Sequence, residues 1–298
     1  MILLLGHTGY IGSSFAQELH RRDLSFRGIS RSEVDYTNRD SLISLIRESK
    51  ADFLINAAGY TGKPNVDACE IHKSECLQAN AVLPGMIRQA CELTGIPWGH
   101  VSSGCIYTGR RDDGNGFRES DAPNFCFRTN HCSWYSGCKA LGEECLVGTD
   151  NIYIWRMRIP FNQFDSPRNY LSKLIRYDRL LSAENSISHV DESVHACVES
   201  WTQRIPTGIY NVTNPGSITT EQVTALIQTH LLPDKKFKFF ASETEFMNSA
   251  ATTPRSNCIL DSRKLLSTGI AMSAVEDAVI SALKHWRSAN HKKRLSIR

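Results

Sequence analysis

Short apolar runs alternate with amphipathic stretches through the first half of the chain. Residues 1–5 (MILLL) read as a buried strand, and the turn GHTGYIG leads into a helix over 13–22. SFRGIS is a second strand. A helix over 41–50 precedes a third, DFLINAAG. Residues 72–94 are helical and stop at Gly95, and PWGHVSSG is the fourth strand. A long polar loop over 108–132 separates it from a helix over 135–147 and from the strand IYIWRMRIP. Strands alternating with helices predict an α/β fold, a doubly wound parallel Rossmann sheet joined by right-handed crossovers.

The rhythm weakens after Pro160. NQFDSPRNYLSKLIRYDRLL reads as a loop entering an amphipathic helix, and IYNVTNPG as a strand ending in a turn. The remainder reads as mostly helical, interrupted by the polar PRSNCILD. The expected division is a dinucleotide-binding domain over 1–162 and a smaller, mostly helical substrate lobe over 163–298. Residues 186–213 return to pack on the first domain. Ligands of open α/β sheets bind at the carboxyl edge of the strands, where this lobe would sit.

Composition adds little to this picture. The chain has 298 residues, 41% hydrophobic and 22% charged, with a formal net charge of +3. That is an ordinary globular balance with no global signal for nucleic acid. The terminal HKKRLSIR reads as a solvated basic tail. No apolar run reaches spanning length and MILLLG is too short for a signal core, so a cytoplasmic enzyme off the membrane is expected. Ten cysteines show neither C-x-x-C nor zinc spacing, so no metal is expected. Cys69, Cys76, Cys91, Cys145 and Cys197 read as reduced, small apolar residues in helices.

Two motifs carry chemistry. Gly6, Gly9 and Gly12 form G-x-x-G-x-x-G between a strand and a helix, the pattern that lets a backbone approach a pyrophosphate. Gly6, Thr8, Gly9, Tyr10, Ile11 and Gly12 are therefore candidate cofactor contacts. Ala57, Ala58, Gly59 and Asn80 join them from the neighbouring strand end and helix. The second strand ends in Ser30-Arg31 where an acid would favour NAD, so NADPH is the expected cofactor, with NADH the alternative. Arg31 offers a planar fork to a 2′-phosphate, and reads equally well as a solvated loop cation.

The second motif is Y-x-x-x-K, Tyr135 and Lys139 one helical turn apart. A lysine ammonium there is expected to lower the tyrosine pKa, and Ser103 at the end of the fourth strand supplies a second hydroxyl for the same oxygen. Cys105 lies two residues further on. By pattern alone it is a small buried residue.

The order GHTGYIG, INAAGYTG, VSSGCIY and WYSGCK resembles the extended short-chain dehydrogenase/reductases. It is similar to the dTDP-4-dehydrorhamnose reductases and closer to the plant-type bifunctional nucleotide-rhamnose synthases. AAGYTGKPNVDACEIHK, DAPNF, SPRNYLSKLIRYDRLL, TGIYNVTNPG and PRSNCILD extend the likeness over nearly the whole chain. The resemblance implies 3,5-epimerisation and NADPH-dependent 4-keto reduction of UDP- or dTDP-4-keto-6-deoxyglucose, giving the nucleotide β-L-rhamnose. It assigns Ser103, Tyr135 and Lys139 to reduction, and Cys105 with Lys173 to epimerisation. Arg168 and Arg255 become contacts for a nucleotide diphosphate, with Asn169, Lys63 and Asn65 on the substrate side. A separate 4,6-dehydratase is expected to supply the substrate, and a homodimer is the expectation by analogy. The loop FCFRTNHCSWYSGCK departs from the plant pattern by its length, which implies a different lid over the sugar. Two alternatives stand beside this reading: a 4-keto reductase without epimerase activity, and a non-catalytic NADP-binding regulatory subunit.

Overall fold

A computed structural model describes residues 1–129 and 131–288. The basic tail HKKRLSIR lies outside them. Six strands form one parallel sheet: β1 (Ile2–Leu5), β2 (Phe26–Ile29), β3 (Phe53–Asn56), β4 (Trp98–Ser103), β5 (Ile152–Met157) and β6 (Gly208–Asn211). Their spatial order is β2-β1-β3-β4-β5-β6. The chain steps outward from β1 to β2, then returns across to β3, so the topological switch point lies between β1 and β3. The fold is doubly wound α/β, as the alternation predicted.

Both faces of the sheet are covered, which is why its strands read as continuous apolar runs. Ile2 and Leu4 of β1 face Phe15 and Leu19 of α1 (Tyr10–Arg21) and Val194 and Val198 of α2 (Val190–Thr202). Leu3 and Leu5 point the other way, into a cluster with Leu42, Leu45, Leu83 and Ile87. Gly99 on β4 leaves the space filled by the buried indole of Trp155 on β5. A third apolar cluster gathers residues from the C-terminal half, including Phe161, Leu171, Ile218, Val223 and Val279.

The structure departs from the sequence reading in several places. Helix α1 begins at Tyr10, because Gly9 is its N-cap in extended conformation and the helix starts earlier than expected. The helical run over 72–94 carries a π-turn at Gln78–Val82 that aims Asn80 inward. The polar loop over 108–132 is not a free loop. Its strand-like bridges Gly109–Cys258 and Phe117–Leu260 pin it to the PRSNCILD segment, which is extended. Phe127, in the long loop, packs on the face left open by Gly137 and tilts against Trp134. Cys145 is exposed rather than buried, whereas all ten cysteines are free as expected.

A methyl group at Gly99 would fall 1.9 Å from a Trp155 ring carbon. Overpacking of this kind costs about 2 kcal/mol. Gly99→Ala should therefore lower the urea midpoint with little change in slope. An unchanged midpoint would show that Trp155 has room to swing away.

Candidate active site

The site is built at the carboxyl ends of β1, β3, β4 and β5. On the β1 side, Gly6 turns with φ +75°, and a Cβ there would sit 2.7 Å from the Ala58 amide nitrogen. A Cβ on Gly12 would sit 2.0 Å from the Gly6 carbonyl oxygen. The glycines are thus required for the chain itself to pack, before any ligand is considered. Among the described residues no side chain caps the N-terminus of α1, which leaves its first amides and the positive end of the helix dipole available to an anion. The Tyr10 hydroxyl and His7 Nδ1 are buried in the same turn without a partner among the described residues. Arg31, just beyond β2, is exposed and makes no ion pair or hydrogen bond among the described residues. A close-approach turn, an uncapped helix, orphaned polar atoms and an exposed guanidinium fit a dinucleotide bearing a phosphate on its ribose.

Asn56 and Asn80 shape the floor. Asn56 Oδ1 accepts from the Ala58 amide at 3.1 Å, and its Nδ2 lies 3.0 Å from Nδ1 of the fully buried His100, whose burial holds it neutral. Asn80 brackets Tyr60, donating to its carbonyl at 2.7 Å and accepting from its amide at 3.2 Å. Asn80 is thereby a positional residue that fixes the Gly59–Tyr60 backbone.

Helix α3 (Trp134–Glu144) presents Tyr135 and Lys139 over the end of β4. The Ser103 hydroxyl lies near the Tyr135 phenol and pulls its pKa down. The expectation that lysine would depress the tyrosine pKa is not met. Burial dominates, and the charge of nearby Cys105 adds to it, so the phenol is raised and stays protonated. The same burial lowers Lys139 to about 8, against the opposing pull of Glu143. Its Nζ donates to the Val101 carbonyl at 3.3 Å.

Cys105 is half-buried in the turn after β4, its amide donating to Ser103 Oγ at 3.1 Å. Its sulfur accepts a hydrogen bond from Arg158 Nη1 at 3.5 Å. Lys173 stands in α4 (Tyr170–Arg176), where burial, then Arg168 and Arg255, lower its pKa. Asp67 is the acid of this corner. Both guanidinium nitrogens of Arg255 bond its carboxylate at 2.7 Å, and Arg168 Nη1 reaches Thr61 Oγ1 at 2.8 Å. Lys63 is exposed on the same loop, and Asn65 closes a turn by accepting from the Asp67 amide at 2.8 Å. Asn169 is elsewhere engaged: it is 0% exposed, caps α4, and donates to the Asn162 and Phe164 carbonyls. Its amide has no free edge for a substrate.

Sequence reasoning missed what lies beneath. Glu143 accepts from Ser102 Oγ at 2.5 Å and from Arg156 at 2.6 Å, a buried pair that ties α3 to the sheet. Cys69, Cys76 and Cys138 pack against Tyr135, with Cys76 held low by hydrogen bonds from the other two. Among the described residues no three ligating side chains are grouped to hold a metal, and no helix is long and apolar enough to cross a membrane.

Known proteins resemble this chain over its length. A bifunctional dTDP-4-dehydrorhamnose 3,5-epimerase/dTDP-4-dehydrorhamnose reductase of Arabidopsis thaliana is 31% identical over 286 residues, covering 93% of this chain and 90% of the relative. A trifunctional UDP-glucose 4,6-dehydratase/UDP-4-keto-6-deoxy-D-glucose 3,5-epimerase/UDP-4-keto-L-rhamnose-reductase of the same plant is 32% identical over 284 residues, 93% of this chain. This chain spans 41% of that relative's length. The crystal structure of the L780 UDP-rhamnose synthase from Acanthamoeba polyphaga mimivirus superposes with a TM-score of 0.87 at 24% identity, covering 95% of this chain and 98% of that one. A dTDP-4-dehydrorhamnose reductase from Bacillus anthracis, solved in complex with NADP, gives 0.78 at 18% identity, covering 96% and 97%. The last two likenesses show the fold. The profile of the RmlD substrate binding domain matches residues 1–288, and the chain belongs to that family.

Proposed function

We propose that this chain reduces the 4-keto group of a nucleotide sugar with NADPH and, at the same site, inverts C3 and C5. The substrate on this reading is UDP- or dTDP-4-keto-6-deoxyglucose, and the product is the nucleotide β-L-rhamnose. The observation that carries it is the placement of Cys105 beside Ser103 and Tyr135, with the half-buried Lys173 on α4. A separate 4,6-dehydratase supplies the ketone.

Ser103 Oγ and the Tyr135 hydroxyl converge on one point and would both donate to the C4 oxygen. A raised phenol pKa suits this role, because the tyrosine must hold its proton until the oxygen becomes an alkoxide. NADPH, when bound, supplies the hydride. The glycine turn and the amino end of α1 would hold its pyrophosphate, and Arg31 its 2′-phosphate. Arg168 is the fork suited to the substrate diphosphate, and Arg255 would join it by giving up its two-pronged bond to Asp67. Lys63 and Asn65 line the same loop.

Epimerisation uses the same carbonyl. A ketone at C4 acidifies the hydrogens on C3 and C5. One group takes the proton from one face, and another returns one to the opposite face. Cys105 and Lys173 are the pair, and Ser103 with Tyr135 holds the C4 oxygen while it carries enolate charge. Reduction then traps the inverted sugar.

In D2O without NADPH, the wild-type protein should place deuterium at C3 and C5 of the 4-keto sugar, read by proton NMR. Cys105→Ala should lower that exchange by about 100-fold or more relative to reduction of the pre-epimerised sugar. Equal losses in both would return Cys105 to the structural thiols and leave a plain reductase.

Lys139 is fully charged well below pH 8 and loses its proton as pH rises through about 8, because burial lowers its pKa. If its ammonium serves the reaction, kcat/KM for reduction falls over that same range while Tyr135 stays protonated. Lys139→Met should be slower and lack this limb. A wild-type profile flat to about pH 9.5, well past that pKa, would remove the lysine's charge from the mechanism.

Arg31→Ala should raise KM for NADPH by about 10- to 100-fold, the worth of a charge-assisted hydrogen bond, and barely change KM for NADH. Parallel changes in both would place the 2′-phosphate elsewhere.

A further inference from the structure

Arg156 and Arg158 alternate on one face at the end of β5, and both are buried. Arg156 is 2% exposed and Arg158 is 1% exposed. Only the first has an acid. Arg156 makes a two-pronged bond to Glu143, whereas Arg158 has no carboxylate within 4.0 Å among the described residues. Its Nη1 donates to Ser256 Oγ at 2.9 Å, and its Nη2 to the Ser256 carbonyl at 2.5 Å and to Asn185 Oδ1. These partners are neutral. Its Nε is buried with no partner among the described residues. A permanent cation buried among neutral groups is costly, and folded proteins normally place an anion against it. The remaining groups in reach are the Cys105 sulfur, at 3.5 Å, and the Tyr170 phenol, which burial pushes up to about 12 and keeps neutral. Cys258 lies nearby, but its thiol donates to the Gly104 carbonyl at 3.3 Å and burial raises its pKa to about 11, so it stays neutral.

We propose that Arg158 is a positioning residue whose guanidinium is the counter-charge for Cys105 during proton transfer at C3 and C5. The proposal rests on the bifunctional reading of the site. In one direction the thiolate takes a proton from carbon: the C–H bond breaks, an S–H bond forms, and the electron pair moves to the C4 oxygen. Lys173 ammonium then protonates the carbon from the other face, and thiol and amine return to their starting states by exchange with water. In the other direction the roles reverse. Either way the sulfur is anionic at one end of the step, and Arg158 opposes that charge from a fixed position set by Asn185 and Ser256.

The test compares Arg158→Met, Arg158→Lys and Ser256→Asp in the full chain. The last keeps the arginine in place but gives it the carboxylate it lacks, so it carries the test even where Arg158→Met does not fold. Three quantities are read: deuterium entry at C3 and C5 of UDP-4-keto-6-deoxyglucose, iodoacetamide labelling of the Cys105 peptide by mass spectrometry at neutral pH, and reduction of the pre-epimerised sugar. Arg158→Met and Ser256→Asp should slow Cys105 labelling about tenfold. They should lower exchange relative to reduction by about 100-fold. Arg158→Lys, which keeps a cation, should restore part of both. Wild-type labelling and exchange in Ser256→Asp and in a folded Arg158→Met would overturn the pairing and leave the bifunctional reading standing. A raised KM in reduction with unchanged labelling would assign the guanidinium to the substrate instead, and also overturns it. Absence of exchange in the wild type would sink the bifunctional reading, and the pairing would then stand or fall on labelling alone.

Discussion

The register of β4 on β5 is the constraint on which the site depends. The two strands pair residue for residue from Trp98 with Ile152 to Ser103 with Met157. They end together, so the residues just beyond them meet at a single edge: Gly104 and Cys105 from one strand, Arg158 from the other. The same register sets Ser102 opposite Arg156, and both reach the carboxylate of Glu143. That carboxylate is the anchor of α3, the helix that carries Lys139 and Tyr135 one and two turns upstream. Breaking a buried ion pair by removing one partner costs about 3–5 kcal/mol, so the helix is held firmly against the strand that supplies Ser103. A two-residue slip would keep the apolar alternation and scatter every one of these groups.

Burial then sets the charges. Tyr135 and Lys139 are both taken out of water, and burial disfavours whichever form is charged. The phenol is pushed toward its neutral acid and the amine toward its neutral base. The sequence motif suggests the reverse, a lysine that depresses its tyrosine. In the folded chain the desolvation of each group outweighs their attraction. The consequence is a tyrosine that arrives protonated, as a group that must protonate an alkoxide needs to be, and a lysine whose charge comes into balance near pH 8.

Where side chains act through local pattern, the sequence was readable. The strand ends, the glycine turn and Y-x-x-x-K depend on local spacings, and the structure brings Ser103 and Tyr135 together as the motif order implied. The glycine positions are readable because Gly6 and Gly12 answer a steric demand that is itself local. What escaped depends on distant partners. Arg156 and Arg158 stand in the otherwise apolar IYIWRMRIP, and two cations on one face of a buried strand were a visible signal. Nothing in the sequence says that one meets Glu143 and the other Cys105. Asn169 shows the opposite failure: its place in a substrate-like segment suggested a contact, while its amide caps a helix. The loop over 108–132 read only as a long polar loop, because its pairing with residues 257–261 spans half the chain.

On the proposed reading, two chemistries share one carbonyl but lie on separate sides of it. The cofactor turn and Ala58 belong to the β1 and β3 ends, whereas Cys105 and Arg158 meet at the β4 and β5 ends and Lys173 stands on α4. Enolisation needs C4 as a ketone, so each hydride transfer ends the chance of exchange. The outcome is then a competition between rates, and a site with one set of carbonyl donors cannot favour epimerisation through those donors, because Ser103 and Tyr135 stabilise enolate and alkoxide alike. The bias must come from a group that touches only the proton-transfer side. Arg158 is such a group: it contacts the Cys105 sulfur, and its remaining bonds go to Asn185 and Ser256, away from the cofactor turn. A cation placed there lowers the barrier to moving a proton at carbon without adding to the stabilisation of the C4 oxygen, which is what inversion before reduction requires.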